Sequence, residues 1–239
     1  MSYKYKRVLL KISGESLKGS QSHGYDASAV SEIVEKIKFS INNGVEIALV
    51  VGAGNIWRGV MGGSSGMDRV NADYMGMLGT VMNALCLRDF FEMAGISAVV
   101  QSSIPMMPIA EGFNRQKADK ALESGKVVIF AGGTGSPFFT TDTTAVLRAL
   151  EMNCEAVIKA TKVDGIYDSD PFKNPNAVRY STLTYDEALS KQLAVMDQTA
   201  FSMCRDNDLP IIVFNFADEN SLDAILRGDT TAGTVVSSL

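Results

Sequence analysis

The chain has 239 residues, 46% of them hydrophobic, and carries 22 lysines and arginines against 27 aspartates and glutamates for a net charge of −5. That balance supplies no field for wrapping nucleic acid or holding a membrane surface, and the hydrophobic content suits a full globular core. One histidine, His23, and three scattered cysteines, Cys86, Cys154 and Cys204, exclude a Ser–His–Asp triad, a three-histidine metal site and a CxxC zinc site as credible centres, so no metal ligands are assigned.

The opening residues hold too short an apolar run for a signal peptide, and no later stretch approaches a membrane span. A cytoplasmic protein with free, buried thiols is expected. Residues 7–12, RVLLKI, read as a strand with Lys11 near its end, just before Ser13, Gly14, Glu15 and Ser16. A lysine inside an apolar strand is costly unless it faces a site or an edge, and ligands bind at strand C-termini in α/β sheets. Residues 19–24, GSQSHG, form a small polar loop. Asp26 then caps a helix with Val30, Ile33, Val34, Ile37 and Ile41 at helical spacing, stopped at Gly44.

Residues 45–51 make a second buried strand that delivers GAGNIWRG at 52–59. This resembles a dinucleotide fingerprint but fails it, because Trp57 stands where the third glycine is required, and no GK[ST] of a P-loop occurs. What remains is a nest of N–H groups after a strand, with Arg58 close enough to clamp a phosphate. Residues 62–66, GGSSG, match G-x-S-x-G formally, but no strand precedes them and the lone histidine lies upstream; they read as a mobile glycine–serine loop. Residues 71–94 form a long helix whose methionines suit a core or a subunit contact. Asp73 in its first turn serves either the helix dipole or a ligand. A short strand at 98–101, a loop with two prolines, and a helix at 114–124 stopped by Gly125 follow.

The organising stretch is 130–144, FAGGTGSPFFTTDTT, entered from the apolar strand 127–130. Gly132, Gly133 and Gly135, then Pro137, Phe138 and Phe139, lead into a threonine-rich helix start. Strand, glycine loop and helix N-terminus meet an anion, and the phenylalanines offer flat surface to a ring. A structural turn with core phenylalanines is the alternative. A strand at 156–160 precedes TKVDGIYDSDPFKNP at 161–175, whose aspartates fail the EF-hand spacing and suit a nucleotide's base and ribose better. Helices at 185–193 and up to 207, a strand at 211–214, a helix at 221–226 and a strand at 234–236 complete the chain. The alternation predicts an α/β fold, a three-layer αβα sandwich around a mainly parallel central sheet, as one domain over 1–239. Two glycine loops after two strands suit transfer of a phosphoryl group between bound phosphates, a reaction that needs cations, magnesium and N–H donors but no histidine.

KISGE at 11–15, VGAGNIWRG at 51–59, DYMGMLGTVMNAL at 73–85, GTGSPFFTTD at 133–142, KATKVDGIYDSDP at 159–171 and VMD at 195–197 occur in order. Together they resemble the bacterial uridylate kinases of the amino acid kinase family over nearly the whole chain. The resemblance implies ATP and UMP as substrates giving ADP and UDP, with magnesium brought by ATP and no dedicated metal cage. It implies that Lys11 and Arg58 stabilise the transferring group while Asp142 and Asp197 orient lysine and organise the centre. It places ATP on Lys11, Ile12, Ser13, Gly14, Gly54, Arg58, Thr161, Tyr167 and Asp170. It places UMP on Ala53, Asp73, Thr134, Gly135, Ser136, Pro137, Phe138, Phe139, Thr140 and Thr141, with Asp73 on the ribose. It further implies a hexamer activated by GTP and inhibited by UTP, with Gly19, Ser20, Gln21, Ser22, His23 and Gly24 matching an activator-binding segment. Ala53 departs from the family, which commonly has glycine there; a methyl is tolerable only where φ is negative. A kinase of a carboxylate or carbamate, and a catalytically silent nucleotide sensor, are the rival readings.

Overall fold

The computed structural model describes residues 3–57 and 66–238. Arg58 and residues 62–65 of the glycine–serine loop therefore lie outside the described residues. The elements run β1 (Arg7–Ile12), α1 (Ala27–Asn42), β2 (Glu46–Val51), α2 (Arg69–Met93), β3 (Ala98–Ser102), β4 (Glu111–Gly112), α3 (Arg115–Glu123), β5 (Val127–Ala131) and α4 (Thr141–Glu151). They continue as β6 (Ala156–Thr161), β7 (Ile166–Tyr167), β8 (Arg179–Tyr180), β9 (Thr182–Thr184), α5 (Tyr185–Ser190), α6 (Gln198–Asp206), β10 (Ile211–Asn215), α7 (Ser221–Leu226) and β11 (Gly233–Ser237). A 3₁₀ turn, Gly14–Lys18, follows β1.

Among the described residues nine strands form one sheet in the order β4-β3-β5-β2-β1-β6-β10-β11-β9, while β7 and β8 pair as a separate hairpin. Every neighbour in the large sheet is parallel except β10 with β11. The fold is α/β with a mostly parallel central sheet and helices on both faces, as the alternation of elements predicts. Parallel strands need covering on both sides, hence their near-continuous apolar runs.

The period of two sorts side chains between the faces. Val8, Leu10 and Ile12 of β1 join α1, α2 and α7 in one core cluster, with Val30, Ile33, Phe91 and Leu222. Leu9 turns to the other face, with Val146 and Ala149 of α4, Leu122 of α3 and Phe201 of α6. Lys11 shares the parity of Leu9, and Lys159 that of Val157, so both lysines point toward the α4 side. β1 pairs with β6 so that Lys11 stands directly beside Lys159. The C-termini of β5, β2, β1 and β6 all reach one edge, where their loops converge.

Helix α2 starts earlier than the hydrophobic spacing suggests, because Asp68 caps it by accepting from Asn71 N at 3.1 Å. Asp73 consequently lies a full turn inside the helix. The segment after β6 also contains the β7–β8 hairpin, which two-residue strands do not announce in sequence.

Candidate active site

Three charges stand at the centre of the converging edge. Asp142, in the first turn of α4, receives Lys11 Nζ at 2.8 Å on one carboxylate oxygen and Lys159 Nζ at 2.7 Å on the other. Lys159 also donates to Val195 O at 2.7 Å, which fixes its direction. Burial pushes the Asp142 carboxyl up, but the charges of Lys11 and Lys159, with their hydrogen bonds, pull it further down, below the ordinary carboxylate range. The carboxylate therefore stays ionised and aims two ammonium groups from adjacent strands at one place.

Lys159 is the residue that the sequence argument passes over. The signal was present, since AVIKAT puts a lysine in an apolar strand just as RVLLKI does.

Asp197 reaches the centre indirectly. It caps α6 by accepting from Ala200 N at 3.0 Å. It also accepts from Thr143 Oγ1 at 3.1 Å and from the Thr140 hydroxyl. Thr140 in turn caps α4, its Oγ1 accepting from Asp142 N at 3.0 Å and Thr143 N at 3.2 Å. Asp197 thus locks the helix turn that carries Asp142, and its oxygens face hydroxyls rather than lysine.

The first loop, 13–24, and the second, 52–57, press backbone against backbone. A Cβ on Gly14 would fall 2.3 Å from Gly52 O and 2.8 Å from Gly54 N, so only glycine permits this approach. Ser13 accepts from Glu15 N at 3.3 Å and starts the turn, and Ile12 closes the strand behind it. Gly54 is less tight, a built Cβ lying 3.2 Å from a carboxylate oxygen of the Glu15 side chain. Ala53 is absent from the positive-φ positions, and its methyl occupies the space beside Gly79, where a Cβ would come within 2.9 Å. The substitution for glycine is accommodated by the helix opposite. In the 19–24 loop, Ser20 and Gln21 are exposed; Ser22 bonds the His23 ring at 2.9 Å, and Gly19 ends the 3₁₀ turn. Gly24 is tied to Asn55 through its N–H at 2.9 Å and its carbonyl at 3.0 Å.

The third loop, after β5, turns at Gly132 with φ of +74°, where a Cβ would meet Ser102 Oγ at 2.7 Å. Gly135 N closes the turn on Gly132 O at 3.0 Å, and Thr134 Oγ1 exchanges bonds with Ser136. Behind it, the buried Arg148 guanidinium stacks 3.7 Å from the Phe113 centroid and donates to Ser103 Oγ at 2.9 Å; that hydroxyl donates to Gly133 O at 2.6 Å. Phe138 and Phe139 are 64% and 49% exposed, which removes the reading of them as core. Phe138 adopts φ of +72°, a strained value for an aromatic residue, and its N–H donates to Asp73 at 2.8 Å. Asp73 also pairs with Arg69 at 2.9 Å, and that guanidinium lies 5.6 Å from the Phe138 ring centroid.

Two cavities lie at this edge, one reaching Lys159 and the other Thr141, the neighbour of Asp142. One of about 180 Å³ is lined by Ala53, Trp57, Asp73, Phe139, Thr140 and Thr141 among others. Thr134, Gly135, Ser136, Pro137 and Phe138 continue the same loop but do not line it. The other, about 480 Å³, is lined by Lys159, Thr161, Tyr167, Asp170 and the 191–195 segment. Thr161 Oγ1 donates to Val163 O at 2.6 Å, and Tyr167 OH donates to Asp164 at 2.5 Å, shaping that wall. A separate cleft of about 620 Å³, beside β3 and α3, shares no residue with either. Among the described residues no group of three or more His, Cys, Asp or Glu is placed to hold a metal, and no helix is long and apolar enough to cross a membrane.

A parallel α/β sheet whose C-terminal edge aims two lysines through one aspartate, between two cavities, is the architecture of a phosphotransferase. The sequence profile of the amino acid kinase family matches residues 6–215, and the chain belongs to that family. Its structure is similar to that of UMP kinase from Bacillus anthracis, at 38% identity and TM-score 0.94, covering 98% of this chain and 96% of that one. It is also similar to UMP kinase from Ureaplasma parvum, at 36% identity and TM-score 0.92, covering 98% and 99%. Uridylate kinase from Archaeoglobus fulgidus shares the fold at 24% identity and TM-score 0.74, covering 96% and 99%.

Proposed function

We propose that the protein transfers the γ-phosphoryl group of ATP to UMP, giving ADP and UDP in pyrimidine nucleotide biosynthesis. The observation that carries this reading is the Lys11–Asp142–Lys159 centre between the two cavities. Its resemblance to two bacterial UMP kinases above one third identity supports the choice of acceptor.

ATP is assigned to the larger cavity, its base and ribose on Thr161, Tyr167 and Asp170 and its phosphates over Ile12, Ser13, Gly14 and Gly54. UMP is assigned to the smaller one, its phosphate near Ala53 and Thr140–Thr141, its ribose toward Asp73 and its ring against the exposed phenylalanines. An oxygen of the UMP phosphate attacks the γ-phosphorus as the bond to the β,γ-bridging oxygen breaks, and that electron pair leaves on ADP. The acceptor is already ionised, so no general base is required. Lys11 and Lys159 offset charge on the equatorial and leaving oxygens, and Asp142 holds them in place, so they are stabilised before the substrate arrives. Arg58 is assigned to the same group. Magnesium bound to the ATP phosphates would neutralise further charge; both Asp142 oxygens are already engaged by lysines, which suits a metal carried by the nucleotide.

The same proposal holds the chain to be a single catalytic domain, cytoplasmic, needing neither nucleic acid nor membrane. It assembles as a homo-oligomer, a hexamer by resemblance, for which the exposed Tyr74, Met75, Leu78 and Met82 on α2 offer an apolar face. Activation by GTP at residues 19–24 and inhibition by UTP belong to this proposal. The test is ADP release from ATP and magnesium with UMP, CMP, AMP, acetylglutamate, carbamate and no acceptor, with and without GTP. Turnover with UMP alone supports it; turnover with a carboxylate or carbamate, or UMP binding without turnover, overturns it.

A further inference from the structure

Helix α2 touches both glycine loops, and its residues take turns. Ala72 O accepts from Trp57 Nε1 at 3.0 Å, Gly76 meets the same indole, Gly79 abuts Ala53, and Asn83 Nδ2 donates to Gly52 O at 2.6 Å. Those positions form one ridge at three- and four-residue spacing, all against the 52–57 loop. The neighbouring ridge faces the other loop. Asp73 accepts from Phe138 N at 2.8 Å, Met77 approaches Gly133, and Thr80 Oγ1 accepts from Gly132 N at 2.9 Å. Residues three and four apart lie on one helix face, so the two ridges are adjacent.

The polar contacts in this seam are completely paired. Thr80 passes its own proton to Met77 O at 2.6 Å. Asn83 and Asn55 exchange amide bonds at 2.8 and 3.1 Å, and the spare Asn55 hydrogen reaches Gly24 O at 3.0 Å. Thr80, Asn83 and Asn55 are all buried. A buried amide pair with every donor used is rigid, since any shift leaves a polar group unpaired.

We propose that α2 is the ruler that sets the distance between the 52–57 loop, assigned to the ATP phosphates at Gly54, and the loop after β5 that leads on to the UMP phosphate seat at Thr140 and Thr141, with Thr80 and Asn83 as its positioning residues. This rests on the reading above, transfer between two bound phosphates. In-line transfer depends on the separation of donor and acceptor, and a misplacement of about 1 Å is enough to lose about a hundredfold in rate. Thr80 lines the smaller cavity and Asn83 lines neither, and neither residue needs to touch the reacting atoms. Thr80 holds an N–H of one loop, Asn83 a carbonyl of the other, one helical turn apart on a single rigid element. Asn83 extends the same frame to the 19–24 loop through Asn55.

The test compares ligands that sense the separation with ligands that do not. Adenosine–uridine pentaphosphate spans both seats, whereas UMP and a non-hydrolysable ATP analogue each occupy one. Thr80→Val removes the acceptor for Gly132 N–H at nearly constant volume. The expected result is about a tenfold weaker grip on the bridging compound with single-ligand affinities within about threefold of wild type, and turnover down by about a hundredfold. Thr80→Ser, which keeps the hydroxyl, restores turnover to within about threefold. Asn83→Asp, which loses both donors, is the second variant and follows Thr80→Val. Equal losses for single and bridging ligands, or a serine variant as impaired as the valine, overturn the proposal. Wild-type protein that turns over a nucleotide other than UMP overturns the acceptor reading instead. The affinity ratios are then measured with that nucleotide's adenosine-linked pentaphosphate and decide the ruler separately.

Discussion

Replacing Asp142 by asparagine keeps the shape of the side chain and removes the charge between Lys11 and Lys159. In the wild type that carboxylate is mostly buried and sits 2.8 and 2.7 Å from two ammonium groups on adjacent strands. Removing one partner of a buried ion pair costs about 3–5 kcal/mol, and the residual exposure of the lysines discounts this to about 2–3 kcal/mol. For a chain of this length that is a fall in melting temperature of about 4–12 °C at fixed protein concentration. The two lysines, left beside each other without an anion, turn toward water and lose their aim, so kcat falls by about 10²–10³-fold. The pH dependence has a definite sign. The folded carboxyl is held below its unfolded value of about 4, so the ion-pair stability is complete above that pH and is lost as the pH falls through the folded value. The gap between wild type and variant therefore closes below about pH 4, reading stability by denaturant titration at each pH. A variant with kcat within about threefold of wild type, or a stability gap that widens on acidification, contradicts this role of Asp142.

Lys159→Ala and Lys11→Ala each lower kcat by about a hundredfold or more while UMP affinity, measured by calorimetry, moves by less than about threefold; equal losses in both quantities contradict their assignment to the transferring group. Gly79→Ala drives a methyl toward Ala53, and although alanine is the better helix former by about 1 kcal/mol, the overpacking costs about 1–3 kcal/mol and the variant is less stable. Adding Ala53→Gly moves the methyl from loop to helix and recovers most of the loss in thermal melting; a double variant no better than the single one refutes this contact. Burial pushes the Cys154 and Cys204 thiols up to about 12, so both resist alkylation at pH 8 in the folded protein and react on unfolding, as mass spectrometry of labelled peptides would show.

The strands, the glycine loops and the threonine-capped helix are local features, carried by apolar runs, turn residues and capping hydroxyls, so sequence reading finds them. Lys11 is legible for the same reason, as a charge in an apolar strand. Lys159 satisfies the same rule, but its weight comes from standing beside Lys11, which depends on β6 pairing with β1. Nothing local announces that pairing. The role of Asp142 is legible only through family resemblance, because an aspartate at the start of a helix has an ordinary explanation in the dipole. Asp73 stands inside α2 rather than in its first turn, because Asp68 is the cap, and it holds the Phe138 amide, 65 residues away. The grip of Thr80 on Gly132, across 52 residues, is invisible for the same reason, since it follows from the strand order rather than from any stretch of sequence.

Transfer of the γ-phosphoryl group of ATP to UMP is the step proposed for this site. Its most direct measurement is chromatographic separation of the nucleotides after incubating the protein with magnesium, ATP and UMP. UDP and ADP in equal amounts, with no free phosphate, are the expected products. ADP with free phosphate, or UMP left unchanged under conditions where it binds, would contradict it.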